Sequence, residues 1–118
     1  MAPPAERPPG AVTTLVNDAE LVVRISGEVD LFLQPELEAA AKRVIGYDGQ
    51  VLVDVAGVTF CDATLARFLS ETVDQALVSV HAPSRLVREF LVLYGLARRV
   101  PVVGDSGGQA IPLAGPAQ

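Results

Sequence analysis

The feature that most constrains this chain is a short β-branched run, Gln50-Val51-Leu52-Val53-Asp54-Val55, set between two stretches of helical spacing. The run is too short for a helix and suits a central buried strand. Before it, Leu37, Ala40, Ala41, Val44 and Ile45 recur at i, i+3, i+4, i+7 and i+8. After it, Leu65, Phe68, Leu69, Thr72 and Val73 repeat that spacing. Each set makes one apolar face of a helix. Strands alternating with helices imply βαβ crossovers, and hence an α/β fold: a mixed sheet with helices packed on it.

The remaining segments extend the pattern. Val12 to Val16 and Glu20 to Ser26 read as strands, joined by a turn at Asn17, Asp18 and Ala19. Pro35 sits where a first helical residue belongs, and Gly46 and Gly49 end that helix. Asp62 is a natural N-cap for the second helix. Ala76 to His81 is a further strand. Pro83 or Ser84 opens a third helix with Leu86, Phe90, Leu93 and Tyr94 on one face and Gly95 just past its end. Arg98 to Val103 reads as a last edge strand, since Pro101 cannot donate to a ladder. The expected order is β-β-α-β-α-β-α-β. The domain is expected over residues 12–103. Residues 1–11 and 104–118, rich in Pro and Gly, are expected to be a disordered and a flexible tail.

Composition removes several functions. The chain has 118 residues, half of them apolar, which is one domain with a sizeable core. Its longest apolar run, around Phe90 to Tyr94, falls short of the ~20 residues that span a bilayer. Met1 to Gly10 lacks the apolar region of a secretory signal. Cys61 and His81 are the sole residues of their kinds, so an internal disulfide and a Cys- or His-rich metal site are out. The net charge of −5 and the lack of Trp weigh against nucleic acid. Residues 1–82 hold 5 basic and 12 acidic side chains, whereas residues 83–118 hold 4 and 2. A surface so divided suits a protein partner, although a solvated face is the commoner outcome. No Ser-His-Asp set, carboxylate pair or phosphate loop stands out, and no cofactor is expected. Glu71 and Glu89 read as solvated helix faces.

The most informative stretch is Val51 to Leu69, VLVDVAGVTFCDATLARFL. It reads as a strand ending at Asp54, a loop over Ala56 to Cys61, and a helix opening at Asp62. A helix N-terminus presented at a strand end gathers free N–H groups and the positive end of the dipole. This stretch resembles the STAS domain, named for sulfate transporters and anti-sigma factor antagonists. The family pattern is a strand ending in Asp, a short loop, and Asp-Ser-Ser-Gly opening a helix. Asp54, Val58, Phe60 and Asp62 stand where that pattern places them. Gly27-Glu28-Val29-Asp30 looks like the family's Gly-Glu-Leu-Asp turn after the second strand. Pro35 and Leu37 match the start of its first helix. Ala82-Pro83-Ser84, Val87, Leu93, Gly95 and Leu96 match its third helix and exit. The resemblance covers residues 12–103.

The departures bear on function. In antagonists of the anti-sigma type the residue after the loop Asp carries the phosphorylated hydroxyl; here it is Ala63, which has none. Thr64 takes the second Ser position and is a weak phosphosite. Leu65 replaces the Gly, and Leu33 stands where a small hydroxyl residue is common. The link from the second helix to the fourth strand is short, and the stretch after Asp105 lacks a helical pattern. Cys61 takes a position the family fills with a buried Ile or Met, and His81 reads as a strand-end residue.

The resemblance implies a non-catalytic, cytoplasmic protein-binding module, monomeric or weakly dimeric. Its partner would be an anti-sigma factor, met at a face built from Asp30, Phe32, Leu33, Asp62, Ala63, Thr64 and Leu65. Asp30 doubles as a turn residue and Asp62 as a plain N-cap. Phe32, Leu33 and Leu65 either form an exposed apolar patch there, or Leu65 and one of the other two fold inward as core. The alternative role implied by the resemblance is a subunit that braces the ATPase of a lipid-transport ABC system.

Overall fold

In the computed structural model, which describes residues 9–104, the chain forms β1 (Ala11–Asn17), β2 (Glu20–Val29), a 3-10 turn (Leu31–Leu33) and α1 (Gln34–Ile45). Then follow β3 (Gln50–Cys61), α2 (Ala63–Val73), β4 (Leu77–His81), α3 (Arg85–Leu93) and β5 (Val102–Val103). The strands make one sheet in sequence order, β1-β2-β3-β4-β5. β1 and β2 are antiparallel, and every later pair is parallel. The element order is the one the sequence implies. The expected tails fall largely outside the described residues, although Ala11, expected in the first of them, already pairs with Ser26 of β2.

The two faces of the sheet differ. Leu21, Val23 and Ile25 on β2, Val51, Val53 and Val55 on β3, and Val78 and Val80 on β4 are buried. They share one core with Leu37, Ala40, Ala41 and Val44 of α1, Leu65, Phe68 and Leu69 of α2, and Val87, Phe90 and Leu91 of α3. Right-handed crossovers between successive parallel neighbours carry every helix to the same face. The opposite face holds Arg24, Leu52, Asp54, Ser79 and His81, which are half-buried or exposed. Arg24 Nε pairs with Asp54 Oδ2 across β2 and β3 at 3.2 Å, and Ser79 Oγ meets His81 Nε2 at 2.8 Å. Polar side chains bonded to one another keep this face compatible with water.

β3 is twice the length expected. Ala56 to Cys61, read as a loop, stays paired with β2 as far as Val29↔Cys61. The pairing register shifts twice on the way, between Arg24 and Ser26 and between Gly27 and Glu28. Asp54 explains the first shift: its carboxylate takes the Ala56 N–H at 2.9 Å, which satisfies a donor the bulge would orphan. Gly57 is required there, because a Cβ would lie 2.9 Å from the Cβ of Ser26. Gly27, read as part of a turn, is a strand residue with φ of +73°. The sequence signs of a turn mark bulges within a longer pair of strands.

α3 turns a different face inward from the expected one. Val87, Phe90 and Leu91 are buried, whereas Leu86, Leu93 and Tyr94 are exposed. The helix is apolar on several sides, so spacing alone fits two stripes. Its exit settles the choice. Gly95, at φ +72°, donates to Val92 O at 3.0 Å, and Leu96 donates to Leu91 O at 2.8 Å. This Schellman closure turns Leu96 into the core beside Leu91. The last strand is two residues rather than six, because Arg99 and Val100 donate back to Leu96 O and Val100 is buried. Ile45, expected in the core stripe of α1, is exposed past its last buried turn.

The inward face of α3 is testable. Leu91, 1% exposed, and Leu93, 80% exposed, sit two residues apart. Leu91→Ala should cost ~2–5 kcal/mol in urea unfolding, and Leu93→Ala less than ~0.5 kcal/mol.

Candidate functional site

β2 and β3 end side by side, and the same device follows each. Asp30 comes after β2 with φ −139° and ψ −169°, and its carboxylate accepts from Phe32 N at 3.0 Å. Asp62 comes after β3 with φ −132° and ψ −162°, and accepts from Thr64 N at 2.8 Å. Asp62 N also donates to Val29 O at 3.2 Å, which ties the two ends together. Each Asp leaves its strand in extended conformation, caps the next turn and places a negative charge at a positive helix end. The starts of α1 and α2 are therefore held next to each other at the carboxyl edge of the parallel strands, the edge at which α/β sheets present their sites.

Between the two helices lies a cleft of about 180 Å³. Leu31, Gln34, Leu37 and Glu38 line one side, and Ala63, Thr64, Arg67, Phe68 and Glu71 the other. The floor is apolar and the rim is charged. Gln34 Nε2 donates to Glu38 Oε2 at 2.8 Å, which fixes one wall. Ala63 is exposed in the first turn of α2, and Thr64 is half-buried behind it. The first residue of α2 thus presents a methyl group to solvent.

The apolar residues separate. Phe32 is 91% exposed, and its neighbour Leu31 is also on the surface. Leu33 is 5% exposed and Leu65 0%. Of the two expected arrangements the structure has the second: Leu65 and Leu33 fold inward as core, the three-residue apolar patch does not form, and Phe32 is left exposed with Leu31. The reason is local: Leu33 closes the 3-10 turn through Leu33 N to Asp30 O at 2.9 Å, which points it into the core, and Leu65 faces the sheet from the first turn of α2. Leu31, Gln34, Glu38, Arg67 and Glu71 were missed as cleft residues. Their signal was the i, i+4 spacing of Ala63, Arg67 and Glu71 and of Gln34 and Glu38, which puts each set on one helix face.

Cys61 lies just behind this site and is half-buried. Burial, and then the negative charge of Asp62, push its thiol from 9.0 up to about 11. Such a thiol stays protonated and unreactive at neutral pH. Among the described residues, no group of three or more His, Cys, Asp or Glu is arranged to hold a metal ion. None of their helices is long and apolar enough to cross a membrane.

The domain model described as Mlab, STAS domain, matches residues 12–104 of the chain. A solved anti-sigma factor antagonist from Mycobacterium paratuberculosis is similar in fold, with a TM-score of 0.70 and 23% identity over 86% of this chain and 89% of that one. The anti-sigma factor antagonist SpoIIAA in its unphosphorylated form gives 0.65 and 17% identity over 79% and 88%. The Bacillus cell fate determinant SpoIIAA in its phosphorylated form gives 0.56 and 18% over 79% and 91%. Among curated proteins, none matches the sequence.

Two outcomes follow from the burial at this site. Leu65→Gly, which installs the family residue, should destabilise the fold by ~3 kcal/mol or more, through lost packing and helix propensity, as read by urea unfolding. Alkylation of Cys61 at pH 8 should be roughly 100-fold slower in the native chain than in the unfolded one, from the lower thiolate fraction. Asp62→Asn should speed native labelling, since it removes the second cause of the raised pKa.

Proposed function

The chain belongs to the STAS domain family, and from that premise we propose that it is a non-catalytic protein-binding module of the anti-sigma factor antagonist type. It docks onto an anti-sigma factor in the cytoplasm and so frees a sigma factor. The observation that carries this reading is an exposed aromatic ring, Phe32, set next to the cleft at the paired starts of α1 and α2. An unpartnered aromatic side chain beside an apolar cleft with a charged rim has the make-up of an interface anchor. The names of the Mycobacterium paratuberculosis protein and of SpoIIAA support the choice of partner.

The module lacks the usual serine switch. A phosphate on the first-turn hydroxyl adds about −1.5 to −2 charge at the docking face and repels the partner. Ala63 has no oxygen to accept it. Thr64 is half-buried, and its backbone N–H is held by Asp62, so it is a poor substitute. Docking is then governed by the amount of each protein rather than by a kinase.

The second reading is a subunit that braces a transporter ATPase. Ala63 favours it too, because that role needs no phosphorylation cycle. Both readings use the same face, and the partner separates them.

Affinity capture from the native cell, followed by mass spectrometry, tests the proposal. The wild-type chain should enrich an anti-sigma factor, and Phe32→Ala should lose it at unchanged melting temperature, with a binding cost of ~2 kcal/mol or more. Incubation with that captured protein and ATP should leave the intact mass of the chain unchanged. A transporter ATPase in the capture would establish the second reading instead. Capture unaffected by Phe32→Ala, or a phosphate mapped to Thr64, would overturn the proposed face or the missing switch.

A further inference from the structure

The end of α3 projects from the domain. Leu91 and Leu96 are both buried, and Leu96 N donates to Leu91 O at 2.8 Å, which pins the two ends of a short turn to the core. Val92, Leu93, Tyr94 and Gly95 between them are all exposed, Val92 by 69% and Leu93 by 80%. Three successive helical residues span about 200° of a helix surface. They can all meet solvent only where the helix ends in a protrusion.

Positive charge is gathered around that tip. All four basic residues beyond Ala82, namely Arg85, Arg88, Arg98 and Arg99, lie on α3 or just past its closing turn, in a chain whose net charge is −5. Arg85, Arg88 and Val92 stand at i, i+3 and i+7, so they share one stripe of the helix, and all three are exposed. Arg98 follows the Gly95 turn and is exposed too. Two acids touch these arginines: Glu89 Oε2 lies 3.2 Å from Arg85 Nε, and Asp74 Oδ2 lies 2.7 Å from Arg99 Nη2. Arg88 Nη2 donates to the Gly104 carbonyl at 2.5 Å, a neutral acceptor that leaves its charge in place. Arg98 has no ion-pair partner among the described residues. With the two pairs set aside, the charges of Arg88 and Arg98 flank the apolar tip.

A convex apolar tip beside arginines fits an anionic bilayer surface better than a folded partner. A folded partner must offer a hollow cut to the tip, whereas the headgroup region of a bilayer deforms around it. Tyr94 has the amphipathic ring that settles at headgroup level. Arginine stems lie along apolar surface while their guanidinium groups stay at the phosphates. Adsorption of this kind needs no helix long enough to span the bilayer.

We propose that the end of α3 is a membrane-docking tip: Val92, Leu93 and Tyr94 enter the headgroup region of an anionic bilayer, and Arg88 and Arg98 pair with its phosphates. α3 begins at the carboxyl edge of the parallel strands, after β4, and ends at the opposite edge, before β5. A docked molecule therefore holds Phe32 and Ala63 away from the lipid.

Co-sedimentation of the full chain with lipid vesicles tests this. Vesicles of equal parts phosphatidylcholine and phosphatidylglycerol should bind the chain at least about fivefold better than phosphatidylcholine alone, and high salt should remove the difference. Leu93→Ser and Arg98→Glu, both at exposed sites, should each weaken binding by about fivefold or more at unchanged melting temperature. If one variant does not fold, the other decides alone. No binding to either vesicle, equal binding to both, or binding unmoved by the two substitutions would overturn the proposal. So would capture of an acidic protein that these variants lose while vesicles stay unbound, since the tip would then be a protein site.

Discussion

Everything in this molecule hangs on the parallel pairing of β3 between β2 and β4. Val51, Val53 and Val55 of β3 are fully buried, which makes it the strand that cannot be exposed. Parallel neighbours cannot be joined by hairpins, so each passage to or from β3 requires a helix. Both crossovers share one hand, and the helices gather on one face. The start of α1 and the start of α2 are then forced to the same edge, beside each other. The site is thus a consequence of topology before any of its side chains is chosen.

What the side chains add is repetition. Asp30 and Asp62 do the same work at neighbouring strand ends, with nearly the same backbone angles. Each carboxylate satisfies a first-turn N–H that a partner would otherwise meet. The first-turn N–H groups of Phe32 and Thr64 are therefore already taken within the chain. Beyond the caps, Leu31 and Phe32 are exposed on one side, and Ala63 and Arg67 on the other. At that edge of the cleft the first residue of α2 is Ala63, whose exposed side chain is a methyl group.

Much of this was legible in the sequence, and the failures share one cause. Asp62 as a cap, the Gly95 exit and the strand–helix order all rest on short-range chemistry, and the structure agrees with them. Ala56 to Cys61 looked like a loop because Gly57 and Thr59 interrupt the apolar alternation. The segment is a strand because β2 is long enough to pair with it, and that is a tertiary fact. Val87 and Leu91, rather than Leu86 and Leu93, face inward because a Schellman turn locks Leu96 into the core. Leu33 and Leu65 turned inward for the same kind of reason. Helical spacing defines stripes, but in a chain this apolar only packing decides which stripe is covered.

The claim at the centre is that the paired starts of α1 and α2 are the surface a protein partner covers. Hydrogen–deuterium exchange of the chain with and without its captured partner measures this residue by residue. The account predicts slowed exchange over residues 30–34 and 62–67, with the strands of the open sheet face unchanged at Leu52, Ser79 and His81. Protection confined to the open sheet face or to α3, with residues 30–34 and 62–67 unaltered, would contradict it.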